Sequence, residues 1–222
     1  MLENLFSVLT VCAMLLTSSQ EALVPASVTD SGVFLVNREK TISSRYVPEL
    51  RQARVNGIVR EMQDVAATAL EALFAGAEKD GFRLMTVSGY RSYQTQADIY
   101  ARKLEATGSV SGADRYVARP GASEHQLGLA MDVKKRGSSA GLVESFGETP
   151  EGKWLAENCW KYGFIIRYPK GWEHVTGYAY EPWHVRYVGK ETAKEIYEMG
   201  VPLEIYTQLK QVSCCLAALE GE

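Results

Sequence analysis

Two of the three histidines in this 222-residue chain sit in dense motifs. The first motif is Ser123-Glu124-His125-Gln126-Leu127-Gly128-Leu129-Ala130-Met131-Asp132, and the second is Glu181-Pro182-Trp183-His184. Reading 128–134 as a strand puts Leu129, Met131 and Val133 on one face and Gly128, Ala130 and Asp132 on the other. One face is bulky and apolar, fit for a core. The other carries two minimal side chains and one carboxylate, which leaves room for a metal ion and a substrate. His125 precedes this strand and can fold back over its small-residue face. In a second strand over 183–188, Trp183, Val185 and Tyr187 alternate with His184 and Arg186, so His184 supplies a further ligand from a neighbouring strand. Glu181, held off that strand by Pro182, can approach an attacking water without ligating. Imidazole and carboxylate are ordinary Zn²⁺ ligands, and three protein ligands with an open fourth position is the catalytic rather than the structural pattern. A structural site would more often be closed by cysteine, and no cysteine lies near either motif.

A lone histidine in a strand is more often a hydrogen-bonded core residue than a ligand. Here the alternation gathers two histidines, an aspartate and a glutamate, which favours the metal reading. His174, in Trp172-Glu173-His174-Val175, has no such company and reads as a surface or rim residue. Arg91 stands at a strand–helix junction in Ser88-Gly89-Tyr90-Arg91-Ser92, with Gln96 following. A permanent cation reaching into a cleft from there could stabilise the oxyanion of a tetrahedral intermediate. The local alternative is a salt bridge or a helix-start contact.

The elements that position these residues follow from periodicity and punctuation. Apolar residues at helical spacing (Val59, Met62, Val65, Ala66, Ala69, Leu70, Leu73) predict a helix from Glu49 to Lys79, closed by Gly81. Val33-Phe34-Leu35-Val36-Asn37 reads as a short strand or extended arm. A strand over 83–88 precedes a helix over 92–106, and residues 108–123 read as a long loop of the kind that is often functional. After strand 128–134 come a second loop over 135–151, a helix from Lys153 to Tyr162, a strand over 164–168 and a loop to Glu181. A helix over 190–199 and a last short helix over 203–219 follow strand 183–188. Strands interleaved irregularly with helices, without a βαβ rhythm, predict an α+β fold with a small, mainly antiparallel central sheet flanked by helices.

A length of 222 residues with 46% hydrophobic and 23% charged residues suits one domain with a real core plus tails. The division expected is a signal-like apolar leader and linker at 1–31, a catalytic domain at 32–208 and a C-terminal tail at 209–222. A net charge of −3 leaves no basic footprint for a nucleic-acid partner. Cys159 reads as a small buried hydrophobe, and no Cys-x-x-Cys spacing suggests a thiolate metal site. Leu5 to Leu16 is an apolar run too short for a membrane span of about 20 residues but suited to the core of a signal peptide. The expectation is export, with action outside the cytoplasm at the cell envelope or beyond it. The export signal is atypical, because the first basic residue is Arg38. The apolar segment also allows membrane association, and the domain is expected to be a monomer.

Ser-x-His-x-x-Gly-x-Ala-x-Asp at 123–132 together with Glu-x-Trp-His at 181–184 resembles the VanY-type D-alanyl-D-alanine carboxypeptidases. These lie in the zinc metallopeptidase superfamily that includes lysostaphin-type enzymes and the hedgehog signalling domain. Further matches are Ser-Gly-Tyr-Arg-Ser at 88–92 with Gln96, Tyr-Gly-Phe-Ile-Ile-Arg-Tyr-Pro at 162–169, and Thr-Gly-Tyr-x-Tyr-Glu-Pro-Trp-His-x-Arg-Tyr-Val-Gly at 176–189. The resemblance runs from about Val33 to Tyr206. It implies a hedgehog/D-Ala-D-Ala-peptidase-like fold and a Zn²⁺ cofactor held by His125, Asp132 and His184. It also implies Glu181 as general base and then proton donor, Arg91 as the oxyanion-stabilising arginine, and Ser123 and Gln96 as substrate contacts. The implied substrate is a peptidoglycan stem peptide or its precursor, cut before its terminal D-alanine. An L,D-carboxypeptidase trimming tetrapeptide stems is the near alternative. A non-catalytic cell-wall-binding module of the same fold is the alternative of another class.

Overall fold

The computed structural model describes residues 33–220. The leader expected at 1–31 lies outside the described residues. Residues 33–37 form no strand, although Leu35 and Val36 are buried. The first elements are a two-residue antiparallel ribbon, β1 (Arg51–Gln52) with β2 (Glu61–Met62). The long helix expected from Glu49 therefore starts only at α1 (Asp64–Lys79). Two features of the chain oppose helix before residue 64. Gly57 packs so tightly on β3 that a Cβ there would sit 1.7 Å from Thr86 Oγ1. Gln63 gives its amide to Gly128 O (2.8 Å) and its side chain to Leu127 O (2.7 Å), which ties this segment to the turn carrying His125.

After β3 (Leu84–Ser88), α2 (Tyr93–Thr107) is capped by Ser92, whose Oγ accepts the Thr95 amide at 3.1 Å, and it ends at Gly108 with φ 64°. The expected loop 108–123 contains a short helix, α3 (Val110–Asp114), capped by Ser109. β4 (Ala130–Lys135) follows a 3₁₀ turn over Glu124–Leu127. The expected loop 135–151 holds another 3₁₀ turn (Glu144–Glu148), and α4 (Pro150–Asn158) starts earlier than Lys153, because Thr149 caps it and Pro150 suits its first position. The end of the predicted helix is a separate 3₁₀ turn, Cys159–Tyr162. The chain then runs through β5 (Phe164–Tyr168), α5 (Glu173–Thr176), β6 (Glu181–Tyr187), α6 (Lys190–Met199) and α7 (Leu203–Glu220). α7 crosses residue 208 without a break.

The main sheet has the order β3-β4-β6-β5 and is antiparallel throughout, so the α+β architecture stands. Its apolar face packs on the buried stripe of α1. Ala66, Leu70 and Leu73 meet Leu129 just before β4, Met131 and Val133 of β4 and Val185 of β6 in one core. Truncating a fully buried leucine in such a core typically costs about 2–5 kcal/mol, because the cavity only partly collapses. This core faces one side of β4, which leaves the other side, with Ala130 and Asp132, free to build a site. Cys159 is buried in the same core, and burial pushes its thiol up to about 12. Among the described residues, no helix is long and apolar enough to cross a membrane.

Candidate metal centre

Asp132 on β4 and His184 on β6 are direct partners across the ladder, so their side chains rise from the same face of the sheet. His125 arrives from the 3₁₀ turn just before β4. That turn is closed by Gly128 at φ 70°, a backbone angle that side chains other than glycine rarely adopt. The His125 ring is then fixed by its Nδ1, 2.7 Å from Gly89 O, which makes that nitrogen the donor and turns Nε2 inward. His125 Nε2 lies 3.4 Å from Asp132 Oδ1, and His184 Nδ1 lies 3.3 Å from the same oxygen. The three ligand atoms all lie within 4.8 Å of one another, and all three residues are buried.

Asp132 Oδ1 is buried and has no hydrogen-bond partner, which is costly for a carboxylate oxygen. A divalent cation at the convergence of that oxygen and two imidazole nitrogens satisfies it, so the donor set fits zinc. Burial pushes the His125 imidazole down to about 4, with the neighbouring Arg91 charge acting in the same direction. Its Nε2 is therefore an unprotonated lone pair at neutral pH. Burial would also lower His184, but the carboxylates of Asp132 and Glu124 outweigh it and raise this ring to about 9, so a metal ion that binds at Nδ1 must displace a proton there.

Glu181 Oε2 lies 3.5 Å from His184 Nδ1, at the side of the trio. Burial raises its carboxyl to about 8, with the His184 ring opposing. The structure corrects one sequence expectation here. Glu181 and Pro182 belong to β6, and Glu181 pairs with Tyr168 beyond an irregularity in the β5–β6 register. Its offset from the metal ligands thus comes from its place along the strand, not from a Pro182 that lifts it away.

Arg91 enters from the β3–α2 junction. Its Nη2 donates to Asp132 Oδ2 at 2.6 Å and lies 3.2 Å from His125 Nε2, and its Nε donates to Ser88 Oγ at 2.8 Å. The guanidinium therefore sits at the mouth of the trio, and the salt bridge considered as its local alternative is real as well. Gln96 accepts from Arg91 Nη1 at 3.3 Å and donates to Ala118 O at 2.7 Å, so its amide braces both the arginine and the loop after α3. Gln96 and Ser123 line the same cleft of about 340 Å³ as His125, Asp132, Glu181, His184 and Arg91. His174 is exposed and stacks beside Trp172, away from the trio, as expected of a rim residue.

Sequence reasoning missed the support beneath His184. Glu124 is fully buried, with Oε2 3.4 Å from His184 Nε2 and Oε1 accepting from Arg167 Nε and Arg186 Nη1, both at 2.7 Å. Arg167 in turn makes a two-pronged pair with Glu204 on α7, at 2.9 and 2.6 Å. Burial alone would raise the Glu124 carboxyl, but the two guanidiniums hold it far below the usual carboxylate range. An ionised Glu124 beside Nε2 keeps a proton on that nitrogen and leaves Nδ1 for the metal face. The signal was an arginine inside each of the strand runs Phe-Ile-Ile-Arg-Tyr and Trp-His-Val-Arg-Tyr. Tyr168 and Tyr178 were missed too. Both line the cleft with ring centroids 4.6 Å apart, and the buried Tyr178 hydroxyl has no hydrogen-bond partner.

Comparison with known proteins places the chain in a family. The family model described as VanY, D-alanyl-D-alanine carboxypeptidase, matches residues 59–190. A D-alanyl-D-alanine carboxypeptidase of Enterococcus faecalis is 40% identical over 183 residues, covering 78% of this chain and 65% of that protein. A Bacillus subtilis relative is 44% identical, with the same two coverages, so the chain spans just under two thirds of the length of these relatives. Among solved structures, the LD-carboxypeptidase LdcB superposes with a TM-score of 0.74 at 44% identity, covering 78% of this chain and 84% of that one. The vancomycin-resistance D,D-pentapeptidase VanY of a VanB-type cassette, solved in complex with Zn(II), gives a TM-score of 0.69 at 37% identity, covering 81% of this chain and 99% of that one.

Proposed function

This chain belongs to the VanY D-alanyl-D-alanine carboxypeptidase family, and from that premise we propose that it is a zinc-dependent carboxypeptidase that removes the terminal D-alanine from peptidoglycan stem peptides. The observation that carries the reading is Asp132 Oδ1, a buried carboxylate oxygen without a hydrogen bond, facing two inward-turned imidazole nitrogens at 3.3 and 3.4 Å. His125, Asp132 and His184 would hold the zinc ion. Bound there, zinc supplies Lewis acidity toward a peptide carbonyl and makes water more acidic.

The protein groups divide the remaining work. Glu181 takes the proton from the attacking water and passes it to the departing amine, and its position beside the ligand trio serves both transfers. Arg91 stabilises the oxyanion that forms on the scissile carbonyl, from a guanidinium already oriented by Ser88 and Gln96. Ser123 and Gln96, which line the cleft, serve as substrate contacts, Ser123 for the terminal carboxylate and Gln96 largely through Arg91. Glu124 keeps His184 in the required tautomer. The reaction takes place outside the cytoplasm, where stem peptides of the wall are found.

A second reading has its own support. The 44% identity and TM-score of 0.74 to LdcB favour cleavage of tetrapeptide stems, an L,D activity at the same centre. One experiment separates the two and tests both. The protein is incubated with pentapeptide and tetrapeptide stems, with and without a chelator, and the released amino acid is identified. D-alanine from the pentapeptide alone supports the D,D reading, and D-alanine from the tetrapeptide supports the L,D reading. Release should stop with chelator and return with zinc. No release from either peptide would overturn both, in favour of a binding module.

A further inference from the structure

The β3–β4 ladder has the catalytic cleft at one end, where Ser88 pairs with Asp132. At its other end Leu84 pairs with Lys135, and one step further Arg136 donates its amide to Arg83 O at 2.8 Å. Arg83 and Arg136 thus stand opposite each other across the end of the ladder. Like charges in direct cross-strand opposition are destabilising unless something compensates them.

No carboxylate of the described residues compensates this pair. Lys135 takes Glu151 at 2.9 Å, and Glu71 is occupied by Arg51 Nη1 at 2.6 Å and by the Arg54 amide at 2.7 Å. Both Arg83 and Arg136 line a cavity of about 170 Å³ on this side of the molecule. Arg54, from the β1–β2 connection, brings a third guanidinium to the same cavity, where it shares the field of Glu71 with Arg51 and makes no close ion pair of its own among the described residues. Glu78 is the one lining carboxylate left without an ion pair. Three cations from three separate segments therefore surround one small cavity in a protein whose net charge is −3.

We propose that Arg54, Arg83 and Arg136 form a phosphate-binding site, distinct from the catalytic cleft. Guanidinium forks match phosphate oxygens in pairs. A free phosphate offers three or four oxygens to the three forks at once, and a phosphodiester, with two non-bridging oxygens per phosphate, reaches all three only by placing neighbouring phosphates of its chain there. A bound phosphate also removes the cross-strand repulsion between Arg83 and Arg136. The phosphate can be free or part of a phosphodiester polymer, and the two sources are separable by experiment.

The 222-residue protein is titrated calorimetrically at low salt with inorganic phosphate and, separately, with poly(glycerol phosphate). Saturable binding is expected, weakened at least about tenfold in the double variant R83Q/R136Q, since each lost charge-assisted hydrogen bond is worth about a factor of ten or more. E78Q should tighten binding by removing the competing carboxylate. Phosphate should raise the melting temperature of the wild type and not that of R83Q/R136Q. R54Q, altered on an exposed connection, should weaken binding without touching the ladder and serves if the double variant folds poorly. Tighter binding of the polymer per phosphate identifies a polymeric ligand, and equal binding identifies free phosphate. The proposal is overturned if neither anion binds saturably, or if R83Q/R136Q and R54Q bind as tightly as the wild type. These readouts are independent of peptide cleavage, so the catalytic reading can fail while this one stands.

Discussion

Glu181 lies 3.5 Å from the ring of a metal-ligand candidate yet outside the trio whose atoms converge within 4.8 Å, and that offset separates two roles that carboxylates can play at such a centre. Glu181→Gln should therefore leave zinc stoichiometry near one per chain while lowering kcat by at least about 10²–10⁴-fold, the usual worth of a positioned acid–base group. Metal analysis of the purified variant beside its turnover number checks this, and turnover near that of the wild type would remove Glu181 from the role. Arg91 shows why residue type alone decides less. Its sequence context fits an oxyanion stabiliser, a salt bridge or a helix-start contact, and the structure gives it a salt bridge to Asp132 at the mouth of the site.

At the scale of elements, β4 and β6 bring the ligands together, and a buried ion network fastens them to their surroundings. Glu124 on the turn before β4 is shared by Arg167 of β5 and Arg186 of β6, and Arg167 is shared in turn with Glu204 of α7. Removing one member of a buried ion network leaves an uncompensated charge and is typically destabilising by about 3–5 kcal/mol. Glu124→Gln is expected to lose stability of that order in chemical melts and to weaken zinc binding about 10–100-fold, because the partner that orients His184 is changed. Glu204→Gln breaks the same network without touching His184, so it should lose stability with a much smaller effect on zinc. Equal zinc affinities in both variants would show that Glu124 acts only on the fold. The network also fastens the start of α7, whose first turn supplies Glu204, and the helix runs on past the boundary expected at residue 208.

For the whole molecule, the acid limb of stability follows from carboxylates held below their ordinary range, Glu124 in the interior and Asp114 and Glu71 nearer the surface. The hydrogen bond from Arg119 lowers Asp114, and the hydrogen bond from Arg51 lowers Glu71. A carboxyl whose folded pKa lies below its unfolded value contributes stability above the unfolded pKa and loses it as pH falls through the folded one. Melting temperature should thus fall as pH drops below about 4, near the unfolded values of Asp and Glu, with the buried Glu124 acting in the same direction. Asp114→Asn should make that fall shallower, and a limb of unchanged steepness would show that this ion pair is too screened to matter.

Much of the site was legible in the chain because strand alternation is a local property. The period of two along 128–134 and 183–188 separates Leu129, Met131, Val133 and Val185, which enter the core, from Asp132 and His184, which do not. The glycine stops and helix caps likewise put α2 and α6 close to where the sequence predicts them. The segment before α1 was not legible. Its apolar spacing at Val59 and Met62 suits a helix, and contacts with residues far along the chain, Thr86 on one side and Leu127 and Gly128 on the other, help hold it in a ribbon instead. The partners of Glu124 were hidden for the same reason, since they lie 43 and 62 residues away. Sequence by itself determined which side chains could ligate a metal and which face of each strand they share. Tertiary structure alone decided which nitrogen of each histidine turns inward, because that depends on Gly89 and Glu124, groups that meet the rings only when the chain has closed around them.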